Sequence, residues 1–192
     1  MNDSTYSDKK GLYQGKRRVV YEDGDSELIS YKDDKKHGAT YFFNKEGWLI
    51  KRGHFRYDKP FGDWIEYYSS GQPKKYNFRI PKGITYQRTH RKDGSIDVDR
   101  GHPLIFNLFK DSDLRLTDNI VLAIPPSTYI NVLEFKPQDS SIVQEVAHTD
   151  GVINYSEIKN SIINNVIYLK WELRDIKTDT LQREDFGKFE RW

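Results

Sequence analysis

The run from Trp48 to Tyr57, "WLIKRGHFRY", alternates with a period of two. Arg52, His54 and Arg56 fall to one side and Leu49, Phe55 and Tyr57 to the other, as expected of a strand with one face in a core. "KYNFRI" repeats the pattern, setting Lys75, Asn77 and Arg79 against Tyr76, Phe78 and Ile80. Near the other end, "VIYLKWELR" sends Ile167, Leu169, Trp171 and Leu173 one way and Tyr168, Lys170, Glu172 and Arg174 the other, which places Trp171 in a core.

What separates these strands is periodic in the first half of the chain. Gly24, Gly47, Gly71 and Gly94 recur at intervals of 23, 24 and 23 residues, and Gly15, Gly38 and Gly62 run nine residues ahead of the first three. Each unit reads as glycine, aromatic strand, tight turn at the second glycine and a returning strand. Asp23-Gly24, Glu46-Gly47, Ser70-Gly71 and Asp93-Gly94 are turn signals. Because one hairpin is marginal in water, successive units must pair edge to edge and stack aromatic rings between neighbours. The chain has 13 Tyr, 10 Phe and 4 Trp for that purpose.

After Gly101 the glycine ruler stops. Short apolar runs follow, among them "PLIFNLF", "NIVLAIP", "TYINVLEF", "SIVQEVAH" and "GVINYSEI", divided by turn signals such as Pro125-Pro126 and Asp150-Gly151. Seven short strands in this half predict a β-sandwich. "SEIKNSIINN" reads either as a helical turn or as a long loop.

The pattern Gly62, Trp64, Tyr67, Tyr68, Gly71 and Tyr76, with a weaker copy in Gly38, Tyr41, Phe43, Gly47, Phe55 and Tyr57, resembles the MORN-repeat-variant family of YwqK-like antitoxin proteins over residues 15–98. The first unit departs from it at Val20, and "IPKGITYQRTHRKDG" stands two residues out of register at Gly83, as capping units commonly do. The second half resembles the immunoglobulin-like modules of bacterial surface proteins. The expected fold is therefore all-β: a polar N-terminal tether over 1–14, a MORN-like hairpin array over 15–100 and an immunoglobulin-like β-sandwich over 101–192. The resemblance implies either an antitoxin that covers a toxin or a bacterial envelope lipoprotein. In the second case the polar start is the tether left after removal of a signal peptide and a lipid-bearing cysteine, and the periplasm or cell envelope is favoured over the cytoplasm.

Charge separates the halves. Residues 1–100 hold 21 Lys and Arg against 15 Asp and Glu, and residues 101–192 hold 10 against 14. From Tyr67 to Lys92 there are seven cations, Lys74, Lys75, Arg79, Lys82, Arg88, Arg91 and Lys92, and no acid. Together with the alternating strands this predicts a basic, aromatic face. The candidate partner-binding residues are Trp48, Arg52, His54, Arg56, Trp64, Tyr67, Lys75 and Arg79.

Catalytic chemistry is not legible. Cysteine is absent, no G-x-S-x-G elbow or phosphate loop of the G-x-x-x-x-G-K type occurs, and the five histidines lack the i, i+4 spacing of helical zinc sites. The histidines read as surface or hairpin-packing residues. Asp93, Asp97 and Asp99 do not follow the order of a calcium loop and read as a turn and a solvated strand. The expectation is a non-enzymatic protein-interaction module with no catalytic residue, metal or cofactor, binding a protein through the repeat face. The alternative is a polyanion-binding module for lipid headgroups, glycans or nucleic acid. Nucleic acid is disfavoured by the acidic second half.

Overall fold

The computed structural model describes residues 6–7, 10–107, 119–135, 142–146, 152–154 and 166–190. The chain is all-β and divides into two compact units, Met1–His102 and Pro103–Trp192. In the first, nine strands follow one another across a single antiparallel sheet in chain order. They are β1 (Tyr6–Ser7), β2 (Tyr13–Val20), β3 (Ser26–Lys32), β4 (Lys35–Phe43), β5 (Leu49–Arg56), β6 (Lys59–Tyr67), β7 (Pro73–Ile80), β8 (Gly83–His90) and β9 (Ile96–Gly101). β1 lies inside the segment expected to be a tether, and its backbone pairs Tyr6 with Gln14 and Ser7 with Tyr13.

One end of the sheet carries the main glycine series, in four copies of one turn. At β4–β5 the Gly47 amide donates to the Asn44 carbonyl at 2.8 Å and the Asn44 amide to the Trp48 carbonyl at 3.0 Å. Gly47 has φ of 85°. That is the pattern of a turn closed by a left-handed residue with a one-residue bulge, and glycine adopts this conformation without a Cβ clash. The same pair of bonds recurs at Tyr21–Asp25, Tyr68–Gln72 and Arg91–Ser95. The second glycine series has a different task. Gly38 and Gly62 sit within β4 and β6 where the pairing register slips, so they mark bulges inside strands. The corresponding slip in β8 falls at Thr85, since Phe78 pairs with Tyr86 and Arg79 with Ile84. This third bulge thus keeps the spacing without its glycine, and Gly83, expected as a displaced member, opens β8.

The opposite end uses two-residue turns that the sequence did not advertise. Asp33-Asp34 and Tyr57-Asp58 both have positive φ, at 52° and 63° and at 47° and 65°, which gives the twist that antiparallel strands need. Tyr57 is accordingly a turn residue and does not continue the apolar side of β5. Each turn is clasped to the preceding hairpin. The Lys36 amide donates to Asp58 Oδ1 and the Asp58 amide to the Lys36 carbonyl, both at 2.9 Å. Asp34 does the same with Tyr13, at 2.6 and 3.1 Å.

Burial runs through both faces of the sheet at its middle. Leu28, Ile65, Tyr76, Phe78 and Tyr86 are buried, and so are Ile29, Thr40, Trp64, Asn77 and Gln87. Aromatic rings supply the contacts between neighbouring strands: Tyr76 meets Tyr86 at 6.0 Å and Phe61 meets Phe78 at 6.5 Å, within the range of favourable edge-to-face pairs.

The second unit holds the seven strands that the apolar runs predict. β10 (Leu104–Asn107), β11 (Asn119–Leu122) and β14 (Val152–Asn154) make one antiparallel sheet. β13 (Ile142–Glu145), β12 (Thr128–Phe135), β15 (Val166–Asp175) and β16 (Leu181–Glu190) make the other, in that order. Leu169, Trp171 and Leu173 are buried on one side of β15. On the other, Lys170 bridges Glu172 at 2.8 Å and Glu184 at 2.7 Å. "SEIKNSIINN" lies outside the described residues.

Candidate functional site: one face of the hairpin array

Register decides which cations share a face, because directly paired residues on antiparallel strands point the same way. One row runs Leu28, Tyr41, Arg52, Ile65, Tyr76, Arg88 and Asp99. The adjacent row runs Glu27, Phe42, Lys51, Glu66, Lys75 and Thr89. Arg52, His54 and Arg56 therefore project from one face, and Lys75 and Arg79 from the other. The single basic face expected from the alternating strands does not exist. Each strand alternates as read, but one-residue steps of register between them decide which sets coincide.

Trp64 is also displaced from its expected role. It is 5% exposed, with Phe55 edge-on at 5.2 Å and Phe42 at 6.4 Å. Lys51 Nζ lies 5.4 Å from its ring centre and the Arg79 guanidinium 5.8 Å. The ring is core, and two cations of the second face are spent covering it. Lys36 covers Phe55 in the same way at 5.0 Å. Asn77, expected beside Lys75 and Arg79 on a basic surface, is buried.

The acid-free stretch is likewise partly used inside the array. Arg88 is 1% exposed and meets Asp99 Oδ2 at 2.5 Å, while the Tyr86 hydroxyl donates to Asp99 Oδ1. Arg91 pairs with Asp97 at 2.6 Å. Asp99, read from sequence as a solvated carboxylate, is thus the counter-ion of a buried arginine. His37 packs edge-on against Tyr57 at 4.7 Å, a hairpin-packing role. Among the described residues no group of three or more His, Asp or Glu is placed to hold a metal ion.

The first face keeps accessible chemistry. Arg52 and His54 are exposed, and Arg56 lies 5.5 Å over the Phe61 ring. Asp63 is close enough to both Arg52 and His54 to feel their charge. Loss of water around its carboxyl raises it above the ordinary range, although the residue as a whole retains open surface; the hydrogen bond from the Tyr76 hydroxyl and the charges of His54 and Arg52 oppose that rise. Burial raises the Tyr67 phenol, and Arg52 pulls it back.

Beside this cluster a groove of about 330 Å³ opens between the turn at Asn44–Trp48 and the turn at Tyr68–Gln72. Trp48, Leu49, Ile50, Tyr67 and Tyr68 give it apolar walls. Ile50 lies two residues from Arg52, and Tyr67 two residues from Arg52's partner Ile65, so both belong to Arg52's face. Trp48 is 66% exposed. Of the expected binding residues, then, Trp48 and Tyr67 line the groove, and Arg52, His54 and Arg56 follow one another along β5 on the face that Tyr67 shares, whereas Trp64, Lys75 and Arg79 do not join them. Ile50 and Tyr68 belong to the same surface and were missed. The repeated turn spacing was the signal for them, because it brings the ends of consecutive glycine turns side by side.

No protein-family model matches the chain, and no curated protein sequence matches it.

Proposed function

We propose that the chain is a non-enzymatic, two-unit binding protein. Its MORN-variant array docks a partner protein through the face bearing Trp48, Tyr67, Arg52, His54 and Arg56. The second unit is an immunoglobulin-like sandwich that serves as a spacer or second contact module. The observation that carries this reading is Trp48: a tryptophan 66% open to solvent, on the wall of an apolar groove whose Tyr67 shares a sheet face with the exposed Arg52 and His54. Large exposed aromatics beside arginine are what interface anchors require. The partner is a toxin or a cell-envelope component.

A second reading, a polyanion binder, draws on the exposed Lys74, Lys82 and Lys92 in the acid-free stretch. It is the weaker of the two because Arg79, Arg88 and Arg91 of that stretch are occupied by Trp64, Asp99 and Asp97.

Capture from native lysate with the intact chain, with Trp48→Ala and with the double change Arg52→Ala and Arg56→Ala separates them. One defined protein, lost with Trp48→Ala, is the expected result. Recovery of nucleic acid, glycan or lipid alone, abolished by the arginine changes and indifferent to Trp48→Ala, overturns the interaction reading in favour of polyanion binding, whose affinity would fall log-linearly with salt.

A further inference from the structure

The groove walls are apolar, and its polar groups are largely committed elsewhere. Asn44 Oδ1 accepts from the Trp48 amide at 2.8 Å, and the Tyr68 hydroxyl donates to the His90 carbonyl at 2.8 Å. A polar occupant would therefore lose water without regaining hydrogen bonds, so the space favours an apolar one. Its volume of about 330 Å³ stands at the low end of the roughly 300–1,000 Å³ of ligand sites. That suits one or two bulky side chains and is too small for a packed helix face.

The rim is electrostatically one-sided. Lys74 Nζ lies 5.8 Å over the Tyr68 ring. Arg52 stands diagonal to Tyr67 across the β5–β6 pair and is exposed. Of the acids nearby, Glu46 faces Lys45 at 3.9 Å and Glu66 faces Lys51 at 3.7 Å on the opposite face of the sheet, while Asp63, which shares the face of Arg52 and feels its charge, lies on the side of Ile65 away from Tyr67 and the groove.

We infer that this groove takes a bulky apolar side chain presented by an acidic segment of the partner protein, with the flanking carboxylates set against Arg52 and Lys74. The inference rests on the interaction-module reading and narrows it to a kind of segment. Burial of the apolar group in the groove supplies affinity, while the two cations orient the segment and reject basic ones. Two cations beside a short groove are too few to track a polyphosphate backbone, which draws on many such contacts.

The test uses the full chain and short labelled peptides read by fluorescence anisotropy. One peptide carries a Leu-Phe pair flanked by Asp and Glu. A second keeps the acids but replaces the pair with Ala-Ala, and a third keeps the pair with Lys flanks. The first should bind at least about tenfold tighter than either control, a difference of about 1.4 kcal/mol. Trp48→Ala and Lys74→Glu should each weaken it several-fold, and Arg52→Glu should erase the preference for acidic flanks. Unchanged urea midpoints for these exposed positions establish that the variants are folded. Equal binding of the Leu-Phe and Ala-Ala peptides, or full affinity in Trp48→Ala, overturns the inference. If the peptides fail while the captured protein is still lost with Trp48→Ala, this inference falls and the interaction reading stands. If the captured protein survives every variant, both fall.

Discussion

Gly53 lies directly beneath the indole of Trp64: a Cβ added to Gly53 would come within 2.6 Å of Trp64 Cε2 and closer still to Cδ2. The two residues are on neighbouring strands, and the missing side chain of one makes the seat of the other. Gly53→Ala should therefore destabilise the array by about 1–3 kcal/mol through overpacking. The urea midpoint of the array transition measures it, and a midpoint equal to that of the native chain would show that the ring moves aside freely.

The same seat separates the two tryptophans in the repeat. Trp64→Ala removes a buried ring and should cost about 3–5 kcal/mol, whereas Trp48→Ala, at an exposed position, should stay within about 0.5 kcal/mol of the native protein. Partner binding should respond in the opposite order among variants that remain folded. Equilibrium unfolding of both variants, followed by binding of the folded one, checks the pair of expectations.

At the other end of the sheet, Asp58 combines a left-handed backbone, φ 65°, with a side chain that accepts from the Lys36 amide. Asp58→Ala loses both advantages and should cost about 1–2 kcal/mol. Asp58→Asn keeps an acceptor and a tolerated conformation and should be close to neutral. Asp58→Gly keeps only the backbone freedom and should fall between them. A series in any other order would mean that the clasp between hairpins does not contribute as drawn.

Acidification should weaken the array through His90. Burial holds its imidazole below the ordinary histidine range, the Arg88 charge adds to that depression and Asp99 opposes it. The unfolded chain then takes up the proton first as pH falls past about 6.5, so the unfolded state binds more protons in the window between that value and the lower folded one. The stability present above the window is lost as pH drops through it. Asp63 has the opposite sign, because its raised carboxyl favours the folded state as pH falls through the upper carboxylate range. Urea midpoints at neutral pH and at about pH 5 should drop less in His90→Gln than in the native chain, and an equal drop would remove His90 from the account.

The glycine ruler was legible because the turn at Gly47 and its three counterparts each need a left-handed residue at a fixed offset, and a tandem array repeats that need. Trp171 was legible because β15 has one wet and one dry side. The Tyr57-Asp58 turn was not, since neither residue is a strong local signal for two left-handed positions. Nor was the burial of Trp64, which depends on Gly53 of the adjacent strand rather than on its own neighbours in sequence. The candidate site suffered most from register. Arg52 and Lys75 each occupy the side of their own strand that alternation assigns, yet the pairing of Arg52 with Ile65 and of Glu66 with Lys75 sends them to opposite surfaces.

The groove is made by two consecutive glycine turns, and those turns recur every second strand. Adjacent strands lie roughly 4.8 Å apart, so turns of one kind are separated by about 10 Å. Valency is thus written into the repeat count: a chain lengthened by one whole unit that kept a tryptophan at the position of Trp48 would carry two grooves in tandem. A partner with apolar residues at matching intervals could occupy both at once, and the second engagement would be governed by local concentration rather than by diffusion from bulk.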